Sequence, residues 1–467
     1  MTKMTSINIQ HDKHSLLLEP TGLYTYQGFQ VLEAQNQDQT DCYYLLFYKT
    51  AYLTGKHTIK IKRSSRLSSI LQKGITLPPT HPFVSYLLTH NRIHTFPALN
   101  PLWEKVQKKY SPLEAANILT IFDTYMKKEK IIKAIKELAL KLRRDGQLLH
   151  TYQMLRLLSD LYPSHPWAPD MSKSLQYQSY QSLYQSNLAT LAVKDPLYAE
   201  QYCYEHLEDK TCLTTLHQLM EKEGRIMELL CLYAHSLIHD SPCDDLNYKQ
   251  LTALITENPG LEGKTDILAH VAQARAVPHD RLWKDLLTLL KNEGRYEDAL
   301  LLLTKNNSQI STKNFPYLLE ILTHLDPSKY VNMLEKLRLP LSDSISPKEA
   351  QSFFQVVIPI LLKEKGLEYT NEWLMPYYIQ YPTVPILLKI KKMAVLKDDP
   401  DQMYALGELY YQMKQLNEAV ECFNWELELD PTDTRSIKWL TKLYLELGMI
   451  EESKSYQYMY HNLQKGS

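Results

Sequence analysis

At 467 residues and a formal net charge of −1, with only 13 glycines and abundant leucine, the chain has length enough for a large buried interior and favours long helical stretches over a turn-rich β architecture. No run of eighteen apolar residues occurs, which excludes a membrane-spanning helix of the usual kind, and the start MTKMTSINIQHDKH lacks the apolar core of a signal peptide. Cys42, Cys203, Cys212, Cys231, Cys243 and Cys422 form no C-x-x-C pair and are too scattered for a disulfide framework, so reduced thiols in a soluble, cytoplasmic protein are expected.

Residues 1–76 read as a small β-rich domain of three or four strands. SLLLE, GLYTYQGFQVLEA, CYYLLFYKT and KHTIKIKR are rich in β-branched and aromatic residues, and in the last Ile59 and Ile61 alternate with Lys60 and Lys62. Gly22, Gly28, QNQDQTD and Gly55 supply the expected turns. Pro78, Pro79, Pro82, Pro97 and Pro101 mark 77–101 as a junction, because prolines at that density break long helices. The charge is uneven. Residues 42–103 hold eight Lys/Arg and no acid, and 104–150 add eleven against six, which leaves +13 over 42–150 and −11 beyond 150. A basic front and an acidic back could meet an anionic partner or each other.

From residue 102 to 467 the apolar spacing is helical, and it recurs as paired short helices about a turn residue. In 132–165, Ile135, Leu138, Ala139, Leu142, Leu155 and Pro163 take the repeating places. In 280–313, Trp283, Leu286, Leu290, Ala299 and Leu303 do, around the turn NEGRYEDA. Residues 210–243 around Gly224 and 352–385 around Gly366 fit by apolar spacing alone, and the frame slips between 165 and 210 at PSHPWAP. NYKQLTALIT with DILAHVAQA, and FPYLLEILTHL with KYVNMLEKL, are expected to fill the gaps as further helical pairs. The pattern is fullest in 400–433, where Leu406, Gly407 and Tyr410 fall on a first helix, Ala419 and Phe423 on a second, and Pro431 closes the unit. Gly407 and Ala419 are small because the helices should cross closely there, with Tyr410 and Phe423 filling the seam. The next unit, 434–467, repeats it with Ile437, Leu440, Tyr444, Gly448 and Ser453.

L-G-x-x-Y, A-x-x-x-F and P at these offsets resemble the tetratricopeptide repeat (TPR) family. The resemblance implies a mainly α fold, a TPR-like α-solenoid of helical hairpins with a small β-rich N-terminal domain. It further implies a concave groove lined by the first helices, at positions 2, 5, 9, 12 and 13 of each unit. Those positions hold Lys133, Lys136, Leu140, Arg143 and Arg144 in 132–165, and Arg281, Lys284 and Lys291 in 280–313. In 400–433 they hold Asp401, Tyr404, Glu408 and Tyr411, and in 434–467 Arg435, Lys438 and Lys442. Such a groove would bind a protein or peptide with an acidic segment through charge-assisted hydrogen bonds. The same lysines would equally form the solvated face of amphipathic helices. The family's clamp for C-terminal carboxylates needs an Asn at position 9, and Leu140, Thr288 and Glu408 stand there instead.

The expected function is therefore a non-enzymatic interaction scaffold or adaptor without cofactor. A second reading is nucleic-acid association through 42–150, with Lys127–Arg144 and KHTIKIKRSSR on phosphates and Tyr43, Tyr44, Phe47, Tyr48 and Tyr52 as stacking surfaces. Against it, those rings would serve as the core of the β-rich domain and the lysines would blunt a strand edge. A third, a peptide-sensing regulator, is weakened by the β-rich start where such proteins carry a helical effector. Cys231, His235, His239 and Cys243 are four apart, but along one helix the outer two stand about 18 Å apart, too far for one ion. His90 and His94 have the spacing of a zinc motif with Asn91 in place of its Glu. No phosphate-loop, dinucleotide or nucleophile-elbow motif occurs.

Overall fold

The computed structural model describes residues 6–11, 14–58, 60–91, 95–239, 245–258, 263–275, 280–305, 315–325, 327–337 and 345–465. The chain is mainly α with an N-terminal antiparallel sheet, and it divides into two compact units, Met1–Leu282 and Trp283–Ser467.

In the first unit, β1 (Ile7–His11), β2 (His14–Tyr26), β3 (Phe29–Asn36), β4 (Cys42–Tyr48) and β5 (Ala51–His57) form a meander in that order. The short β6 (Ile75–Leu77) pairs with Leu23–Thr25 of β2, so the described sheet has six strands where three or four were expected. The β2/β3 register shifts between Pro20 and Gly22, where proline has no N–H to give the ladder. Gln27 and Gly28 turn β2 into β3, both at positive φ. The expectation of a turn at Gly55 is wrong. Gly55 pairs with Leu45 inside β5, and the ring of Phe96 lies 2.1 Å from where a Cβ would stand. Lys49 and Thr50 make that turn instead, at φ 46° and 66°. The strain is held by Thr50 N–H donating to Gln30 Oε1 at 2.9 Å and by Asn91 Nδ2 donating to the Thr50 carbonyl at 3.0 Å.

Leu45, Leu46, Phe47 and Tyr48 are consecutive and all fully buried, so both faces of the sheet are covered. Helix Arg66–Lys73 packs on β2 and β3, and Tyr204 of helix Pro196–Tyr204 meets Tyr26 at 5.3 Å. The sheet thus belongs to one compact unit with the helices that follow it, up to Leu282. The proline-rich stretch itself forms a helix, Pro82–His90, with Pro82 at its first position, where the missing N–H costs nothing.

Most later helices pack on their sequence neighbours, as Lys128–Arg144 does on Leu148–Leu161 and Lys210–Lys222 on Ile226–His239. In the second unit Met403–Gln412, Leu416–Leu429, Thr434–Glu446 and Ile450–Lys465 pack in succession. The gap fillers are present as Asp245–Glu257 with Lys264–Ala274, and Phe315–His324 with Val331–Lys336. Five hairpins share one turn. Its left-handed residue is Gly146, Gly224, Gly294, Lys414 or Gly448, and the next N–H bonds back five residues, for example Arg295 to Leu290 at 2.8 Å and Gln415 to Tyr410 at 3.0 Å. Gly366, at φ 83°, breaks Pro347–Gln380 so sharply that Phe354 meets Tyr377 at 5.2 Å. A straight helix would hold them about 35 Å apart. Gly407 is needed for space: a Cβ there would lie 2.9 Å from the Phe423 ring.

Candidate partner-binding surfaces

Tyr404 and Tyr411 lie seven residues apart on Met403–Gln412, two helical turns and hence one face. Arg435, Trp439 and Lys442 come from the next first helix, Thr434–Glu446, whose start is fixed by Asp433 accepting from the Arg435 and Ser436 N–H groups at 3.1 and 3.2 Å. Burial opposes ionisation of Asp433, but hydrogen bonds from Ser436 and Arg435 outweigh it and hold the carboxyl below its usual range. The two helices bring these side chains together. The Arg435 guanidinium lies 4.8 Å from the Tyr404 ring and the Lys442 ammonium 4.3 Å from that of Tyr411. Between them Trp439 lies 4.9 Å from Tyr411 and donates its indole N–H to the Tyr404 hydroxyl at 3.1 Å. Tyr411 donates to Glu446 at 2.8 Å, and its hydrogen bond with Lys442 raises that ammonium above its ordinary value. The result is an aromatic floor under two exposed cations. Lys438 is not part of it, lying over Tyr460 of the last helix at 5.0 Å.

Lys133, Lys136, Arg143 and Arg144 share helix Lys128–Arg144, but part of their face is covered within the first unit. Lys136 lies 4.9 Å from the Trp167 ring, and Arg143 reaches Met171 Sδ at 3.8 Å. Arg144, Arg143, Leu140 and Glu137 border an open hollow of about 510 Å³. On Asp280–Asn292, Arg281 lies over Tyr248 at 5.8 Å, Lys284 is exposed, and Lys291 is paired with Glu320 at 2.8 Å.

The basic front is largely engaged within the molecule. Lys49 bridges Glu114 and Glu223 at 2.8 Å each, Lys62 Nζ donates to the Asp123 carbonyl, Lys73 pairs with Glu205, and Arg66 is buried. Phe47, Tyr48 and Tyr44 are core, Tyr52 donates to the Thr95 carbonyl, and Tyr43 packs on His57 and Phe96. Ile59, Arg92, His94 and Cys243 lie outside the described residues. His235 and His239 have ring centres 4.4 Å apart, and among the described residues no three His, Cys, Asp or Glu side chains are placed to hold a metal ion. Among those residues, too, no helix is long and apolar enough to cross a membrane.

Sequence reasoning missed Trp439 and Arg225. Arg225, its side chain 3% exposed, forks onto Glu200 at 2.7 and 3.0 Å and onto Glu228 at 2.6 and 2.9 Å. Burial works against its charge, yet the Glu200 and Glu228 carboxylates hold it well above its usual value. A signal was present: E-G-R-x-x-E at 223–228 recurs as E-G-R-x-x-D at 293–298, where Arg295 pairs with Asp298 at 2.7 Å and with Glu293 at 3.4 Å.

No protein-family model matches the chain, and no curated protein does either. Among solved structures it is similar to BtubC (BKLC) from P. vanneervenii, at 14% identity over 62% of this chain and 88% of that one, with a TM-score of 0.15. It is also similar to Naa15/Naa10 bound to HypK-THB, at 14% identity over 79% of this chain and 61% of that one, with a TM-score of 0.16. At such scores neither likeness bears on shape or on partners.

Proposed function

We propose that the chain is a TPR-like, non-enzymatic cytoplasmic scaffold that holds a partner polypeptide with an acidic segment against the first helices of its last two hairpins. What supports it is the convergence of Tyr404, Tyr411, Arg435 and Lys442 around Trp439: an aromatic floor offers contact area at low entropic cost, and the two cations select acidic side chains. The same groove in 132–165 would contribute through Lys133 and Arg144, both exposed. The nucleic-acid reading has less support, because the rings it needs are packed and most of its described cations up to Lys73 have partners inside the molecule.

Fluorescence anisotropy with labelled peptides in which Asp or Glu alternates with aromatic residues tests the reading. Binding that falls at least tenfold in the Arg435→Glu/Lys442→Glu double variant, with the far-ultraviolet circular dichroism unchanged, supports it. Undiminished binding rejects this face, and binding of generic RNA with a steep salt slope would favour the basic front instead.

A further inference from the structure

Between the sheet and the helices of the first unit lies a second, smaller cavity of about 180 Å³, lined almost wholly by polar side chains. Its floor contains Arg66, 8% exposed, and Tyr162, 6% exposed. The Arg66 guanidinium donates through Nη2 to the neutral Gln27 amide and packs over the Tyr26 ring, while its Nε and the Tyr162 hydroxyl have no hydrogen-bond partner. Asp123, the nearest candidate, spends both oxygens on the Arg66 backbone N–H, at 3.1 and 3.0 Å. A buried cation without a counter-ion is costly, and an unsatisfied N–H beside an unsatisfied hydroxyl adds to the cost.

The mouth has the opposite character. Glu205 is neutralised by Lys73 at 3.5 Å, but the exposed Asp160 carboxylate has neither ion pair nor hydrogen bond among the described residues. Water could fill the cavity, which has room for about six molecules, and could satisfy the N–H and the hydroxyl. It could not neutralise the guanidinium below or the carboxylate above. A ligand with an anionic and a cationic end would do both at once.

We infer that this cavity binds a free α-amino acid, its carboxylate on Arg66 Nε and the Tyr162 hydroxyl and its ammonium toward Asp160. A guanidinium presents two parallel N–H groups to a carboxylate, and the Arg66 Nε–H with the remaining Nη–H offers that fork. Leu161 is the one aliphatic side chain of the lining, so a small polar amino acid fits better than a large apolar one.

The test uses the full chain, titrated calorimetrically with each proteinogenic amino acid at millimolar concentration. For any that binds, the matching amine without the carboxylate, the N-acetyl derivative and inorganic phosphate serve as controls. The expected result is binding of at least one small polar amino acid and loss of binding with all three controls. Tyr162→Phe and Asp160→Asn, neither of which removes bulk, each weaken it about tenfold without changing the far-ultraviolet circular dichroism. Absence of binding by every amino acid overturns the assignment. So does equal binding of phosphate or the N-acetyl derivative, which would mark a plain oxyanion site, and so does unchanged affinity in both variants, which would place the ligand elsewhere.

Discussion

Trp439 stacks on Phe423 with ring centres 5.5 Å and planes 7° apart, which joins the floor of the exposed patch to the buried seam between the last two hairpins. Tyr404 touches both, meeting Phe423 at 5.4 Å and accepting the Trp439 N–H. Trp439→Ala should therefore cost about 2 kcal/mol, less than a fully buried tryptophan, as well as peptide binding. Trp439→Phe should recover most of the stability but, without the N–H to fix Tyr404, only part of the binding. Urea denaturation followed at the far-ultraviolet band, alongside anisotropy, separates the two effects.

Lys414 occupies the left-handed turn position that glycine takes in the four other hairpins of this kind, at φ 59°. Lys414→Gly should stabilise the second unit by about 0.5–1 kcal/mol, because the left-handed strain of an L side chain exceeds the entropic cost of glycine. Gly448→Ala should lose about 1 kcal/mol even though nothing lies within 4 Å of the added Cβ, since backbone conformation alone is at issue. Thermal melts of the two variants should move in opposite directions.

Removing the charge from Arg225 leaves Glu200 and Glu228 facing each other in the interior. Arg225→Met should cost about 3–5 kcal/mol at neutral pH. Burial already raises the Glu228 carboxyl above its ordinary value, so its contribution to stability falls as pH climbs from the usual carboxylate value to the raised one. Without Arg225 that penalty grows, and the gap between variant and wild type should narrow below about pH 4, where both glutamates can be buried neutral. Stability curves at several pH values check this.

His81 caps helix Pro82–His90 by accepting from the Phe83 N–H at 3.2 Å and faces His270 at 5.5 Å. Burial, with a smaller contribution from His270, pushes its pKa down to about 3. The unfolded chain then binds more protons at mildly acid pH, so stability is full above about pH 6.5 and is lost as pH falls toward 3, by up to about 1.4 kcal/mol per unit. His81→Asn keeps the cap and removes the titrating group, and should flatten that slope.

The helical hairpins were legible because their physics is local: Gly407 is small where Phe423 crosses, and Gly146, Gly224, Gly294 and Gly448 stand where φ is positive. The Gly55 error has the opposite cause. Only a ring 41 residues away, Phe96, requires a glycine there, while the true turn is made by Lys49 and Thr50, whose types argue against one. The groove positions were readable by offset, but not which cations the molecule itself engages. Lys136 rests on Trp167 and Lys291 pairs with Glu320, contacts that no repeat pattern encodes.

The tip of the β4–β5 hairpin is tied through Lys49 to Glu223, 174 residues further along the chain. At a synthesis rate of about 5–20 residues per second the ribosome needs roughly 10–35 s to supply that partner. Until then the tyrosines at the strand ends remain open to other nascent chains. The sheet is first to emerge yet among the last parts to be sealed, which makes this protein a natural client for chaperones that shelter growing polypeptides.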